Sequence, residues 1–174
     1  MPGPAFLRGE RVDLHVIEED DLPFLYRLIN DERVWRSLFG AEPKTMDDEE
    51  AFYEQAVNAD DQVHLLICDD GEPVGIVGLS SISPTWGIGE VGYYVDPEAQ
   101  DSGYATAAVG MLVEYAFDHR RLAKVYAHAL ASNAASRRVL EKHGFVEEGR
   151  FREEAFVDGE REDVVRYGRL ADDR

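Results

Sequence analysis

The sequence predicts a mixed α/β (α+β) fold, with helices flanking one mostly antiparallel sheet. Three observations carry that reading. A strand-like run, Glu90 to Val95, leads through a polar loop containing Gly103 into a helical repeat that ends at His119. Ahead of it, the apolar runs Val63 to Cys68 and Val74 to Ile82 flank Asp69-Asp70-Gly71-Glu72, a hairpin turn with Asp-Gly at its centre. Behind it come a strand, a capped helix and a closing hairpin. At 174 residues, 44% of them hydrophobic, residues 1–174 read as one domain with one core, free of repeats and linkers.

Taken in order, Val12, Leu14 and Val16 alternate with Arg11, Asp13 and His15, which predicts a half-exposed strand over Glu10 to Val16. Glu18 to Asn30 has helical spacing. Leu22, Leu25, Tyr26 and Ile29 form its expected buried face, and acidic residues crowd its first turn, where the helix dipole favours them. Asn30-Asp31 break it. A short helix over Arg33 to Leu38 ends at Gly40, and Thr45 caps another over Asp47 to Val57. Gly75 and Gly78 weaken the second hairpin strand and mark close backbone approaches. Pro84 to Gly89 reads as a loop. Ala105, Ala108, Val109, Leu112 and Ala116 give the buried face of a helix over Ala107 to His119. Leu122 to Ala129 is a strand. Asn133 to His143 is a helix capped by Ser132 or Asn133 and stopped by Gly144. Phe145 to Arg150 and Val164 to Leu170 close the sheet, with Asp158-Gly159 at the turn.

Composition excludes several classes. There are 36 acidic and 18 basic residues, for a net charge of −18. Direct binding to nucleic acid needs a basic footprint that this chain lacks. No apolar run is long enough to span a bilayer, and the opening Met1-Pro2-Gly3-Pro4 shows no secretory signal, so a cytoplasmic protein is expected. Cys68, the single cysteine, lies in an apolar run and reads as a buried thiol rather than a nucleophile. The five histidines are dispersed without metal-ligand spacing, so no metal is expected, and no Ser-His-Asp arrangement can be argued.

The stretch Val95 to Thr106 carries the chemistry. Strand, glycine-bearing polar loop and helix together form a phosphate-binding arrangement. The first N–H groups of the helix have no internal partner, the dipole is positive there, and Gly103 admits a close approach. The competing reading is an ordinary Asp or Ser helix cap with a nearby glycine. Neither a Walker loop nor GxGxxG is present.

Gln100-x-x-Gly103-x-Ala105 after a strand resembles the acyl-CoA diphosphate loop of the GNAT superfamily of N-acetyltransferases. The block from Asn133 to Gly149 is similar to the second signature of that superfamily. Its serine after the asparagine, its Glu148-Gly149 and the turn Phe156-Val157-Asp158-Gly159 are most similar to the RimJ/RimL branch, which acetylates protein N-termini. The resemblance follows the element order of nearly the whole chain and is specific from about Gly89 to Tyr167. It implies a fold whose strands before and after the long helix splay apart, so that the pantetheine arm of acetyl-CoA pairs with exposed backbone.

The same resemblance implies the site. Acetyl-CoA is the cosubstrate, and the loop residues Gln100, Asp101, Ser102, Gly103, Tyr104, Ala105 and Thr106 hold its diphosphate. A backbone N–H near Tyr94 or Val95 polarises the thioester carbonyl. Asn133 hydrogen-bonds the pantetheine, caps its helix, or does both. Glu90 is the candidate base, its carboxyl raised by burial against Trp86, Tyr93 and Tyr94; an exposed strand glutamate is the plain alternative. Glu154 is a rival, because the branch carries a glutamate where Ala155 stands here, and one residue of register flips a side chain to the other face. Many members use a tyrosine acid where this chain has Leu140, which leaves Ser136 as the candidate acid, or else a simple helix-surface serine. Trp35, Phe39 and Phe52 fall where acceptor pockets are lined, or pack in the core.

The acceptor implied is a primary amine, either a protein N-terminal α-amine or a small molecule. A non-catalytic acyl-CoA-binding module is the alternative, favoured by Ala155 and Leu140. Exposed C-terminal edge strands allow a homodimer. Asp101 departs from the family pattern and repels a diphosphate at low salt, an effect that molar salt screens, since the Debye length falls to about 3 Å at 1 M. Together with the scattered acidic residues this suggests a source with high internal salt. Thermal or urea unfolding midpoints should then rise between low and molar KCl; no gain overturns the salt-adapted reading.

Overall fold

The computed structural model describes residues 2–173. Its strands are β1 (Ala5–Arg8), β2 (Asp13–Val16), β3 (Val63–Asp69), β4 (Glu72–Ser83), β5 (Ile88–Val95), β6 (Lys124–Leu130), β7 (Val146–Val157) and β8 (Glu160–Leu170). Its helices are α1 (Leu22–Ile29), α2 (Glu32–Trp35), α3 (Met46–Phe52), α4 (Tyr104–Asp118) and α5 (Ala134–Lys142). The strands form one mixed sheet in the order β1-β2-β3-β4-β5-β6-β8-β7. This is the helix-flanked, mostly antiparallel sheet that the sequence predicts.

Strand periodicity sorts the apolar residues onto two faces. Ile67, Val77, Leu79, Val125 and Ala127 face α4 and α5, where Ala108, Val109, Leu112, Val113, Ala116 and Leu140 complete the larger core. The neighbours Leu66, Cys68 and Ile76 point the other way, onto Ile17, Leu22 and Leu25 near α1. Cys68 is buried there, and burial pushes its thiol up to about 12, so it stays a protonated apolar filler.

The one parallel pair sits in the middle of the sheet. Its crossover is α4, as parallel strands require. The β5–β6 ladder contains only Ile88↔Lys124, Gly89↔Val125 and Glu90↔Tyr126. Beyond those rungs β5 stays paired to β4 as far as Val95, and β6 stays paired to β8 as far as Leu130. The sheet therefore forks after Glu90.

Local signals set many boundaries. Thr45 and Asp48 form a reciprocal capping box at α3. Asp70-Gly71 and Asp158-Gly159 both adopt positive φ at their hairpin turns. Gly75 and Gly78 are close approaches: a Cβ at Gly75 would lie 2.6 Å from the Tyr94 carbonyl oxygen, and one at Gly78 would lie 2.5 Å from the His64 ring. They do not interrupt β4, which runs for 12 residues.

Several expectations need correcting. A four-residue strand, β1, precedes the first predicted one and hydrogen-bonds to it. Glu19–Asp21 is a 3₁₀ turn ahead of α1, and Leu28, not Tyr26, completes the buried face; Tyr26 is exposed. The helix starting near Thr45 becomes a π turn over Tyr53–Val57. Ile88 and Gly89 belong to β5 rather than to a loop. The helix α4 begins at Tyr104, so Tyr104, Ala105 and Thr106 form its first turn. Among the described residues, no helix is long and apolar enough to cross a membrane.

Burial keeps His64 neutral down to about 4, under the edge of Phe52 and with Gln62 on Nε2. An unfolded histidine takes its proton near 6.5, so between about 6.5 and about 4 the unfolded chain holds a proton that the folded chain does not. Stability should fall as pH falls through that window. On acidification from pH 7 to pH 5, the urea midpoint should drop less in His64→Gln than in the wild type.

Candidate active site

The polar loop after β5 is built to leave the start of α4 open. Asp96 accepts the Glu98 N–H at 3.0 Å and pairs with Arg27 at 2.8 Å, which fixes the chain as it leaves the strand. Asp101 and Gly103 then take φ of 60° and 79°, and α4 follows. A Cβ at Gly103 would meet nothing within 4 Å. No side chain caps α4, so among the described residues its first N–H groups face the cavity without a side-chain partner. A brace holds this turn from outside: Arg11 Nε donates to the Ser102 carbonyl at 3.2 Å, its guanidinium lies 4.7 Å from the centre of the Tyr104 ring, and the Tyr104 hydroxyl donates to Asp69.

A cavity of about 930 Å³ runs from this turn into the fork of the sheet. Gln100, Asp101, Gly103, Tyr104, Ala105 and Thr106 line one end. Glu90, Tyr94 and Val95 of β5 line its side, with Asn133 and Ser136 of α5 opposite. Ser102 is not part of the lining; its hydroxyl turns back to the Gln100 carbonyl at 3.4 Å. Asn133 caps α5 by accepting the Ser136 N–H at 3.1 Å, and it also lines the cavity. Leu140, fully buried in the larger core, is nowhere near open space.

Two side chains that sequence reasoning passed over complete the arrangement. His128, on β6 two residues beyond the last rung, has Nδ1 2.7 Å from a Glu90 carboxylate oxygen. With a carboxylate on Nδ1, that nitrogen carries the hydrogen and Nε2 keeps its lone pair. The expected packing of Glu90 against Trp86 does not occur, because Trp86 is 75% exposed on the loop before β5. The second is Tyr93, whose hydroxyl lies 2.9 Å from Ser136 Oγ and 3.1 Å from the Ser136 carbonyl oxygen. Burial pushes the phenol up to about 12, against the opposing pull of the Ser136 hydrogen bond. Ser136 is thus tied to a tyrosine rather than free on a helix surface.

A second cavity, of about 790 Å³, opens on the other side of the fork, and both cavities share His128. Trp35, Phe39, Phe151 and Phe156 supply aromatic walls, with Glu154 and Ala155 at the β7 side. Phe52 is not among them; it packs in the smaller core. Arg36 lies within 3.3 Å of Asp158 across the mouth. Among the described residues, Glu154 is a carboxylate of this wall with no ion pair. No group of three or more metal-ligating side chains comes together there or elsewhere among the described residues.

Residues 11–146 match the Acetyltransferase (GNAT) domain family. The chain belongs to the GNAT acetyltransferase family. It is similar to the spermidine N(1)-acetyltransferase of Vibrio cholerae serotype O1, 28% identical over 160 residues that cover 91% of this chain and 92% of that protein. The putative ribosomal N-acetyltransferase YdaF of Bacillus subtilis is 30% identical over 172 residues, covering 93% and 92%. Among solved structures, the spermidine N-acetyltransferase from Vibrio cholerae in complex with CoA and spermine superposes with a TM-score of 0.89 at 26% identity, over 95% of this chain and 98% of that one. The chain is accordingly an acetyl-CoA-dependent N-acetyltransferase acting on an amine, and the non-catalytic alternative gives way.

Proposed function

We propose that this GNAT enzyme acetylates the α-amine of a peptide or protein N-terminus, with the Glu90–His128 pair as its base. The observation that carries the reading is the position of that pair at the fork: both residues line a cavity suited to acetyl-CoA, and His128 also lines a cavity suited to an acceptor. Acetyl-CoA would enter along the α4 side, its diphosphate on the open N–H groups of Tyr104 to Thr106 and its pantetheine beside the unpaired edge of Tyr94 and Val95. The amine would enter from the aromatic side. His128 Nε2 takes a proton from the ammonium, and Glu90 holds the ring in the right tautomer and stabilises the imidazolium that forms. The amine nitrogen then attacks the thioester carbon, the C–S bond breaks and the nitrogen gives its second proton to solvent, so that an amide and a CoA thiolate result. Tyr93 and Ser136 supply hydrogen bonds to the departing sulfur. A cytoplasmic setting suits both the cosubstrate and a chain whose only cysteine stays a thiol.

The electrostatics of the acceptor cavity favour an acceptor with one ammonium. Glu90 is engaged by His128 and Asp158 by Arg36, which leaves Glu154 to attract a cation among aromatic walls. An α-amine also ionises near pH 8, against about 10.4 for an alkyl amine such as lysine, so less is asked of the base. Likeness to the spermidine enzyme favours a second reading, a polyamine acceptor.

Two outcomes are expected. Glu90→Gln and His128→Gln should each lower kcat by about 10²–10⁴-fold, and the double variant should be little worse than the poorer single, as for residues that act as a unit. Independent, additive losses would separate the two roles. In an acceptor comparison, kcat/KM for a short peptide with a free N-terminus should exceed that for spermidine by about tenfold or more, whereas a peptide blocked at its N-terminus should be inert even with an internal lysine. The reverse preference selects the polyamine.

A further inference from the structure

We infer that Arg138 and Lys142, on the cavity face of α5, bind the nucleotide phosphates of CoA and make the enzyme select the 3′-phosphorylated cofactor over its dephosphorylated form. The inference rests on acetyl-CoA occupying the larger cavity.

Ala135, Ser136, Arg138, Val139 and Lys142 all line that cavity, so one face of α5 runs along it. Ser136, at the start of that face, meets Tyr93 of the fork. At the other end, His143 Nε2 is bonded to the Thr106 carbonyl oxygen, which seats the last turn of α5 beside the first turn of α4. Arg138 and Lys142 therefore stand on the flank of the open α4 N-terminus.

Their charges are also uncommitted. Of the other cations in the cavity wall, Arg33 is held by Asp31 and Glu98, and Arg36 by Glu32 and Asp158. Among the described residues, neither Arg138 nor Lys142 has an ion pair or hydrogen-bond partner for its charged group. That is unusual in a chain with two acidic residues for every basic one. Asp101 in the loop adds negative charge where the diphosphate would lie, so the α4 N–H groups alone face an adverse field. A diphosphate occupies the helix N-terminus, and a further phosphate needs cations of its own. The two side chains on α5 are the cations placed to meet it.

Calorimetric titration of CoA and dephospho-CoA into the wild type and the Arg138→Gln/Lys142→Gln variant, at one fixed ionic strength, tests this. The wild type should prefer CoA by about tenfold or more, and the variant should bind the two within about threefold, with CoA weakened to the level of dephospho-CoA. The loss should appear in the KM for acetyl-CoA rather than in kcat, and Lys142→Arg in an otherwise wild-type chain should keep the preference. A wild type that binds both ligands equally, or a variant that keeps the preference, overturns the inference and leaves acetyl-CoA binding intact. A folded wild type that binds neither overturns the acetyl-CoA reading and this inference with it.

Discussion

Three rungs join β5 to β6, and then the two strands part company. An open fork inside a sheet is costly if it stays dry, since each buried backbone group left unpaired costs about 1–3 kcal/mol. The chain meets that cost by facing the free edge of Val91 to Val95 into a cavity that water or an extended ligand can fill. Both flanks are pinned, β5 by β4 and β6 by β8, so the gap cannot close by strand slippage. The positions of the working groups follow from it. Glu90 occupies the last rung, His128 lies two residues past it on the partner strand, and the crossover helix α4 must start just beyond the carboxyl end of β5. A fold without the fork would bury the same side chains against one another.

Charge is divided along the cavity. The chain carries a net −18, yet its cosubstrate is a polyanion and its acceptor a cation. The smaller cavity has aromatic walls, Glu154 with no ion pair among the described residues, and the Arg36–Asp158 pair at the mouth. At the α4 end of the larger cavity, the unpaired groups among the described residues are the α4 N–H donors, Arg138 and Lys142. Local donors and cations within a few ångströms of a phosphate outweigh a diffuse surface charge that physiological salt screens over about 8 Å. The acidic surface and the anionic ligand are therefore compatible, and Asp101 is the position where the two come into direct conflict.

What was legible in the sequence was local. The Asp-Gly turns, the Thr45 cap, Gly103 and the apolar face of α4 are each set by a few consecutive residues, and they fold as their chemistry dictates. Boundaries failed where tertiary contacts decide them. The short strand β1 exists because β2 offers it an edge, and α4 starts at Tyr104 because Gly103 turns left-handed there. Tyr26 and Leu28 are both apolar and two residues apart; only the packing of α1 selects between them. The Glu90–His128 contact joins residues 38 apart through a register that the spacing of neither strand encodes. Trp86 shows the converse failure: an aromatic residue in a plausible place is expected against Glu90, but it stands on the surface. For Phe52 the core reading holds.

The acidity of Tyr93 constrains what the α5 side of the site can contribute. Burial pushes its phenol up to about 12, above the range in which a free thiol ionises, so full proton transfer from Tyr93 to a departing thiolate is disfavoured. A serine hydroxyl is a weaker acid still. The pair is placed for hydrogen bonding instead: Tyr93 donates to the Ser136 carbonyl oxygen, and the Ser136 hydroxyl lies against the phenol oxygen at the cavity wall. Such a donor acts on charge as it develops on sulfur and needs no titration, so this half of the site should work at any pH where the phenol is intact. In the proposed mechanism the proton that the thiolate finally takes would come from solvent or from His128 across the fork.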